Sequence, residues 1–322
     1  MLVILGIAFI LVSDGLSWGT QRGSQYAQLY PDNIRAMILD GVIDHALSTT
    51  AFTASESLGY DLELRRMLEW MGQNSSSSLH GRNAIDLFPE LIKRADKTPI
   101  EIPSCVESKE CFPDVTGDDI RVQAVNNANQ PLLWPSFSRT LQRMIDNGNA
   151  TALAYPITNE EVGVTQSMLA IACQDWQFPT TWTDYRALQY MNTAFSPLPQ
   201  GAIGARMWAI GCAKWPTKVT NPSRPMTVKN PSAPILLVNS LWDGATGYDQ
   251  AVQVQSQIEK SVLITRYGEG HGSLEWPVTK QVMDSYLIDL IIPKEEDRVV
   301  DSPVGPDETD FELLGWSMSK KA

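Results

Sequence analysis

Histidine is scarce in this chain, with three residues among 322, at positions 45, 80 and 271. Cysteine is nearly as rare. Cys105, Cys111, Cys173 and Cys212 include no Cys-x-x-Cys pair, and no histidine stands at zinc-ligand spacing from them, so no metal site is expected. Basic residues are outnumbered, 25 Lys and Arg against 37 Asp and Glu, for a net charge of −12. That balance excludes a nucleic-acid binder, which needs clustered cations to displace counterions from phosphates. The apolar segment Met1 to Val12 is too short to span a bilayer, and it lacks the basic start and small-residue cleavage site of a signal peptide. No membrane partner and no targeting signal are therefore expected, and Ala8 to Val12 reads as a buried strand.

What is present is a globular chain. Hydrophobic residues make up 43 %, and the length allows a large core plus one sizeable insertion. The even cysteine count suits two disulfides in an oxidising compartment, with four free thiols as the alternative. Two sequons, Asn74-Ser75-Ser76 and Asn149-Ala150-Thr151, would fit a secreted glycoprotein.

Gly15-Leu16-Ser17-Trp18-Gly19 matches Gly-x-Ser-x-Gly. An apolar strand precedes it, Thr20 to Leu29 reads as a helix stopped by Pro31, and Ile34 to Leu39 reads as the next strand. Strand, serine turn, helix, strand is the order a nucleophile elbow requires. Both glycines are expected at the turn because a Cβ would clash there. Ser17 is the candidate nucleophile, and the Trp18 backbone N–H is the candidate oxyanion donor at the helix start. A glycine-rich connection with an incidental serine is the competing reading.

A serine hydroxyl needs a base. His271, in Gly268-Glu269-Gly270-His271-Gly272-Ser273, follows the strand-like Ser261 to Arg266 and is the candidate. His80 reads as a solvated loop residue and His45 as a surface residue. The third member must orient the imidazole. Asp243 follows the strong strand signal Ala233 to Asn239, and Tyr248 to Glu259 then reads as a returning helix. Asp40, which also ends a strand, is the rival acid. With Asp243 the order is Ser, Asp, His, that of α/β-hydrolases. The fold class expected is α/β.

About His45 to Trp215 is too long for a crossover and reads as a mainly helical cap over the active site. Tyr60 to Met71 and Ala84 to Ile92 carry helical periodicity. Trp134, Trp176, Trp182, Trp208 and Trp215 either line a cleft or pack helices together. Lys294 to Asp310 reads as a charged surface extension.

Gly-Leu-Ser-Trp-Gly-Thr from Gly15, Tyr30-Pro31-Asp32, Met37 to Val42, Ala170 to Asp175, Cys212 to Pro216, Pro234 to Val238 and Gly270 to Leu274 resemble the secreted tripeptidyl aminopeptidase-like (TAP-like) α/β-hydrolases, relatives of the proline iminopeptidases. The resemblance runs from Gly15 to about Pro293 and is loosest between Thr50 and Leu169. It implies a cofactor-free serine exopeptidase that releases short peptides from substrates with a free N-terminus, with Ser17, Asp243 and His271 as triad and a secreted location. A substrate amine calls for a carboxylate, for which Glu160, Glu161 and Asp175 are candidates. The resemblance also implies a Cys173–Cys212 disulfide, leaving Cys105 and Cys111 for a local loop. The chain departs from the family at Gly244-Ala245-Thr246-Gly247, where relatives show Pro-Val-Thr-Pro, and at Gly272, where they often carry Cys.

The family places a half-sheet and a second oxyanion loop before the elbow, whereas here the elbow begins at Gly15. The expectation is an N-terminally truncated α/β-hydrolase fold, with Met1 to about Ile7 foreign to the parent enzyme. Its expected parts are 1–44, a core fragment with the elbow; 45–215, the helical cap; 216–293, the TAP-like C-terminal core; and 294–322, a surface tail. Two alternatives to a peptidase remain, an esterase or lipase-like hydrolase and an impaired remnant that only binds a partner.

Overall fold

The computed structural model describes residues 11–156 and 160–301, apart from the side chains of 12, 160–165, 205 and 301. The described residues fall into two compact units, one from 11–47 with 223–301 and the other from the segment Ser48–Pro222.

The first unit is built on a parallel sheet. Its strands are β1 (Leu11–Leu16), β2 (Ile34–Asp40), β5 (Ile235–Trp242), β6 (Ser261–Glu269) and β7 (Val299–Asp301), hydrogen-bonded in that order. A parallel sheet covered on both faces needs apolar residues at consecutive positions, and β2 and β5 supply them. Met37, Leu39, Ile235 and Leu237 pack on one face with Ala27, Ala251 and Val254, from helices Trp18–Leu29 and Tyr248–Gln257. Ala36, Ile38, Leu236 and Val238 pack on the other with Met283 and Tyr286, from helix Pro277–Asp289. The Tyr286 hydroxyl donates to the Pro234 carbonyl and accepts from the Met37 N–H, tying that helix to β2 and to the residue that leads into β5.

The expected strands are present with later ends. β1 runs to Leu16 rather than stopping at Val12, because Ser13, Asp14 and Gly15 continue the pairing with β2 despite their polarity; Ala8 to Ile10 lie outside the described residues. The tail expected on the surface is corrected in part. Val299–Asp301 pairs in parallel with Thr265 to Tyr267 of β6, burying Val300 and extending the sheet by a strand. His45 is also corrected, since it is buried and not on the surface. Its neighbour Asp44 accepts from Gln257 Nε2, and the Asp44 N–H donates to Gln250, so helix Tyr248–Gln257 draws this loop inward.

The second unit is mainly helical. It contains Thr49–Gln73, Ala84–Lys97, Pro103–Ser108, Gly117–Ala128, Trp134–Asn147, Glu160–Asp175 and Trp182–Phe195, with a π-helical turn at Ala202–Trp208. One two-residue antiparallel ladder joins β3 (Ile100–Glu101) to β4 (Asp114–Val115). Side-chain caps start four of these helices: Ser48, Asn83, Thr181, and Thr116 in a capping box with Asp119. Each satisfies donors that have no partner in the first turn. Three of the five tryptophans singled out in the sequence pack in the interior of this unit. Trp134, Trp176 and Trp208 are buried, Phe52 stacks on Trp176 at 4.4 Å, and only Trp182 of the five is strongly exposed.

Two disulfides, Cys173–Cys212 and Cys105–Cys111, lie within this unit. The former closes a loop of sequence separation 39, which by chain entropy is worth about 4 kcal/mol. Among the described residues no helix is long and apolar enough to cross a membrane, and no group of three metal-ligating side chains converges.

Candidate active site

Ser17 sits between the end of β1 and helix Trp18–Leu29 with φ 56° and ψ −121°. That backbone region is essentially reserved for glycine, and a side chain held there stores roughly 1–3 kcal/mol of strain. The turn is fixed from several directions. The Ser17 N–H donates to the Asp40 carbonyl at 2.9 Å. Its own carbonyl accepts from the Thr20 hydroxyl at 2.6 Å, and that hydroxyl accepts from the Ile43 N–H at 3.0 Å. The Ser17 side chain does not cap the helix, so its hydroxyl is not consumed there. Trp18 is the first residue of the helix.

The two glycines of the motif are not equivalent. A Cβ on Gly15 would stand 2.6 Å from the Gly19 carbonyl oxygen, whereas one on Gly19 would meet no atom within 4 Å. The expectation that both are sterically required holds for Gly15 alone.

Asp243 and His271 follow the ends of β5 and β6 and meet there. His271 Nδ1 lies 2.9 Å from Asp243 Oδ2 and 3.1 Å from Oδ1. The carboxylate is fully buried and the imidazole 17 % exposed. The Ala245 and Thr246 N–H groups donate to Asp243 Oδ1 at 2.9 and 2.7 Å, and the Thr246 hydroxyl donates to Oδ2 at 2.9 Å. The Gly-Ala-Thr-Gly sequence that departs from the family pattern thus still cradles the acid. Burial opposes charge on the His271 ring, but the Asp243 carboxylate, aided by Asp40, outweighs it and raises the proton affinity of the imidazole.

Asp40, the rival acid, has a different position. It is buried, its Oδ2 accepts the Ser273 N–H at 2.7 Å, and burial pushes its pKa up to about 6 despite that bond. It binds the backbone beside His271, while Asp243 binds the ring. Asp40 also joins the serine turn to the histidine loop, through its carbonyl on one side and its carboxylate on the other. Gly41, at φ +65°, lets the chain pass under the ring, where a Cβ would come within 2.7 Å of His271 Cε1.

Of the other sequence candidates, His80 is exposed. The side chains of Glu160 and Glu161 lie outside the described residues. Asp175 is buried and accepts from Asn221 Nδ2 at 2.7 Å. Neither Thr246 nor Arg266 stands out in the sequence as a functional residue. For Thr246, its place three residues after Asp243 was a usable signal, since a hydroxyl there can bond back to the carboxylate.

Residues 199–299 match the family described as TAP-like protein. The chain is similar to the tripeptidyl aminopeptidases of Streptomyces lividans and Streptomyces coelicolor. Each is 25 % identical over 302 residues, covering 85 % of this chain and 51 % of the relative. It is also similar to the serine protease Hip1 of Mycobacterium tuberculosis, 26 % identical over 265 residues, covering 77 % of this chain and 50 % of that protein. The chain spans about half the length of the curated relatives it matches. Residues 199–299 thus carry a TAP-like domain, the parallel sheet is that of an α/β-hydrolase fold, and the similarity relates the chain to serine peptidases.

Proposed function

We propose that this chain carries the catalytic triad of a serine exopeptidase that releases short peptides from substrates with a free N-terminus. Ser17 is the nucleophile, His271 the base and Asp243 the residue that orients the base. The observation that carries this reading is the Asp243–His271 contact at 2.9 Å, taken together with a serine held at φ 56° at the end of β1. A strained serine and an imidazole fixed by a buried carboxylate have no evident structural purpose, and strain of this kind gathers at functional sites.

In the proposed reaction His271 Nε2 takes the Ser17 proton as Oγ bonds to the scissile carbonyl carbon. The carbonyl oxygen becomes an oxyanion facing the Trp18 N–H. As the C–N bond breaks, the leaving amine takes the proton back from His271. Water, deprotonated by the same imidazole, then releases the acyl group and regenerates Ser17. Asp243 holds Nδ1 protonated, so that Nε2 is free to accept. No cofactor enters these steps.

The peptide preference and the free N-terminus rest on the aminopeptidase relatives. The helical segment Ser48–Pro222, inserted between β2 and β5, is the part we assign to substrate choice. A secreted, glycosylated protein is the setting that two disulfides and two sequons favour. Chromogenic tripeptides with free and with acetylated N-termini, assayed beside short acyl esters, test the reading. Turnover of the free-amine peptide alone is expected. Ester turnover without peptide turnover would replace the peptidase reading with an esterase.

A further inference from the structure

We infer that Arg266 is a positioning residue for His271, fixing the loop that carries the imidazole by gripping its backbone carbonyls. The inference rests on the reading of His271 as the base.

Arg266 lies on β6, yet its side chain is fully buried. Burying a guanidinium is costly unless its N–H groups find acceptors. Here Nη1 donates to the Glu269 carbonyl at 2.9 Å, and Nη2 to the carbonyls of Gly270 at 2.8 Å and Gly272 at 3.2 Å. Nε reaches the Ser273 hydroxyl at 3.4 Å, and the guanidinium carbon lies 4.8 Å from the centre of the Trp276 ring. All of these partners fall between 269 and 276, on both sides of His271.

The loop can offer its carbonyls to one point because Gly270 and Gly272 have φ of 94° and 82°, a backbone region that glycine enters without penalty. Two further contacts hold the same loop. The Ser240 hydroxyl donates to the Gly270 carbonyl at 2.7 Å, and Asp40 takes the Ser273 N–H. An apolar residue would satisfy burial at position 266 at lower cost, so holding the loop is what the cation adds. A planar fork reaches several carbonyls at fixed angles, which a lysine ammonium cannot. The charge has a second effect. Asp243 and Asp40 raise the proton affinity of His271, and Arg266 lowers it.

The test uses the full chain with histidine 13C-labelled at Cε1, which gives three resonances, one per histidine, that of His271 assigned through His271→Gln. In Arg266→Met we expect the His271 titration to move to higher pH and fluorophosphonate labelling of Ser17 to slow by roughly 10–100-fold, as for a base displaced by about 1 Å. In Arg266→Lys the titration should return towards wild type while labelling stays slow. Ser240→Ala, which removes one donor to the same loop, should slow labelling less. Unchanged titration and labelling in a folded Arg266→Met would overturn the inference, as would full recovery of labelling in Arg266→Lys. If Arg266→Met does not fold, Arg266→Lys and Ser240→Ala decide. If wild type itself is not labelled, the nucleophile reading fails, and the His271 titration still judges Arg266.

Discussion

The backbone N–H of Ser17 donates to the carbonyl of Asp40 at 2.9 Å, where β1 ends and β2 turns away. The same Asp40 accepts the Ser273 N–H on its carboxylate. One residue thus sets the spacing between the serine turn and the histidine loop.

That carboxylate can be tested through pH. Its pKa is about 6 in the folded chain against an ordinary 3.8. The folded state therefore binds more protons across this window, so the contribution is complete below pH 3.8 and is lost as pH rises through 6. Asp40→Asn should remove the slope. Relative to wild type, the variant should gain roughly 1–3 kcal/mol between pH 4 and pH 8, read by urea unfolding. Because Asp40 also raises the His271 proton affinity, the acid limb of Ser17 labelling should move to lower pH in the variant.

Gly15 and Gly19 should respond differently to a methyl group. Gly15→Ala drives a Cβ into the Gly19 carbonyl and should cost about 1–3 kcal/mol, with a matching fall in melting temperature. Gly19→Ala should fold normally. Equal losses in the two variants would mean that the turn is not packed as described.

Much of the first unit was legible in the sequence, because a parallel sheet buried on both faces forces unbroken apolar runs. Ile235 to Val238 and Met37 to Leu39 announce themselves in this way. The end of β1 was not legible, since Ser13, Asp14 and Gly15 are polar or small yet remain in the ladder. Nor was β7, three residues within a charged tail that find a free edge on β6. The Asp243–His271 pairing was readable from chain order, whereas the Arg266 grip was not. An arginine on a strand looks like a solvated residue until the loop folds back over it. The helix expected from Tyr60 begins at Thr49, and buried Glu56, Asp61 and Glu63 blurred its periodicity.

Glu56 has a measurable consequence. Burial pushes its pKa up to about 8, offset in part by the Trp208 indole N–H, which lies 3.0 Å from both carboxylate oxygens. The folded state holds this proton where an ordinary glutamate would release it. Stability from this group is complete below about pH 4.5 and is lost as pH rises through 8. Glu56→Gln keeps an acceptor for Trp208 and removes the charge. Its melting temperature should match wild type near pH 5 and exceed it at pH 9.

Asp243→Asn should leave the fold intact and reverse the hydrogen bond to Nδ1, favouring the wrong imidazole tautomer. Turnover should fall by about 10⁴-fold, the loss seen when a triad acid is amidated. A decrease of only a few-fold, measured by initial rates on the free-amine tripeptide, would return the acid role to Asp40.

The most direct measurement is fluorophosphonate labelling of the folded chain followed by peptide mapping. One labelled site, Ser17, is expected, with labelling abolished in Ser17→Ala and in His271→Ala. A folded chain that takes up no label, or carries it on another residue, would contradict the assignment of Ser17, Asp243 and His271 as a working triad.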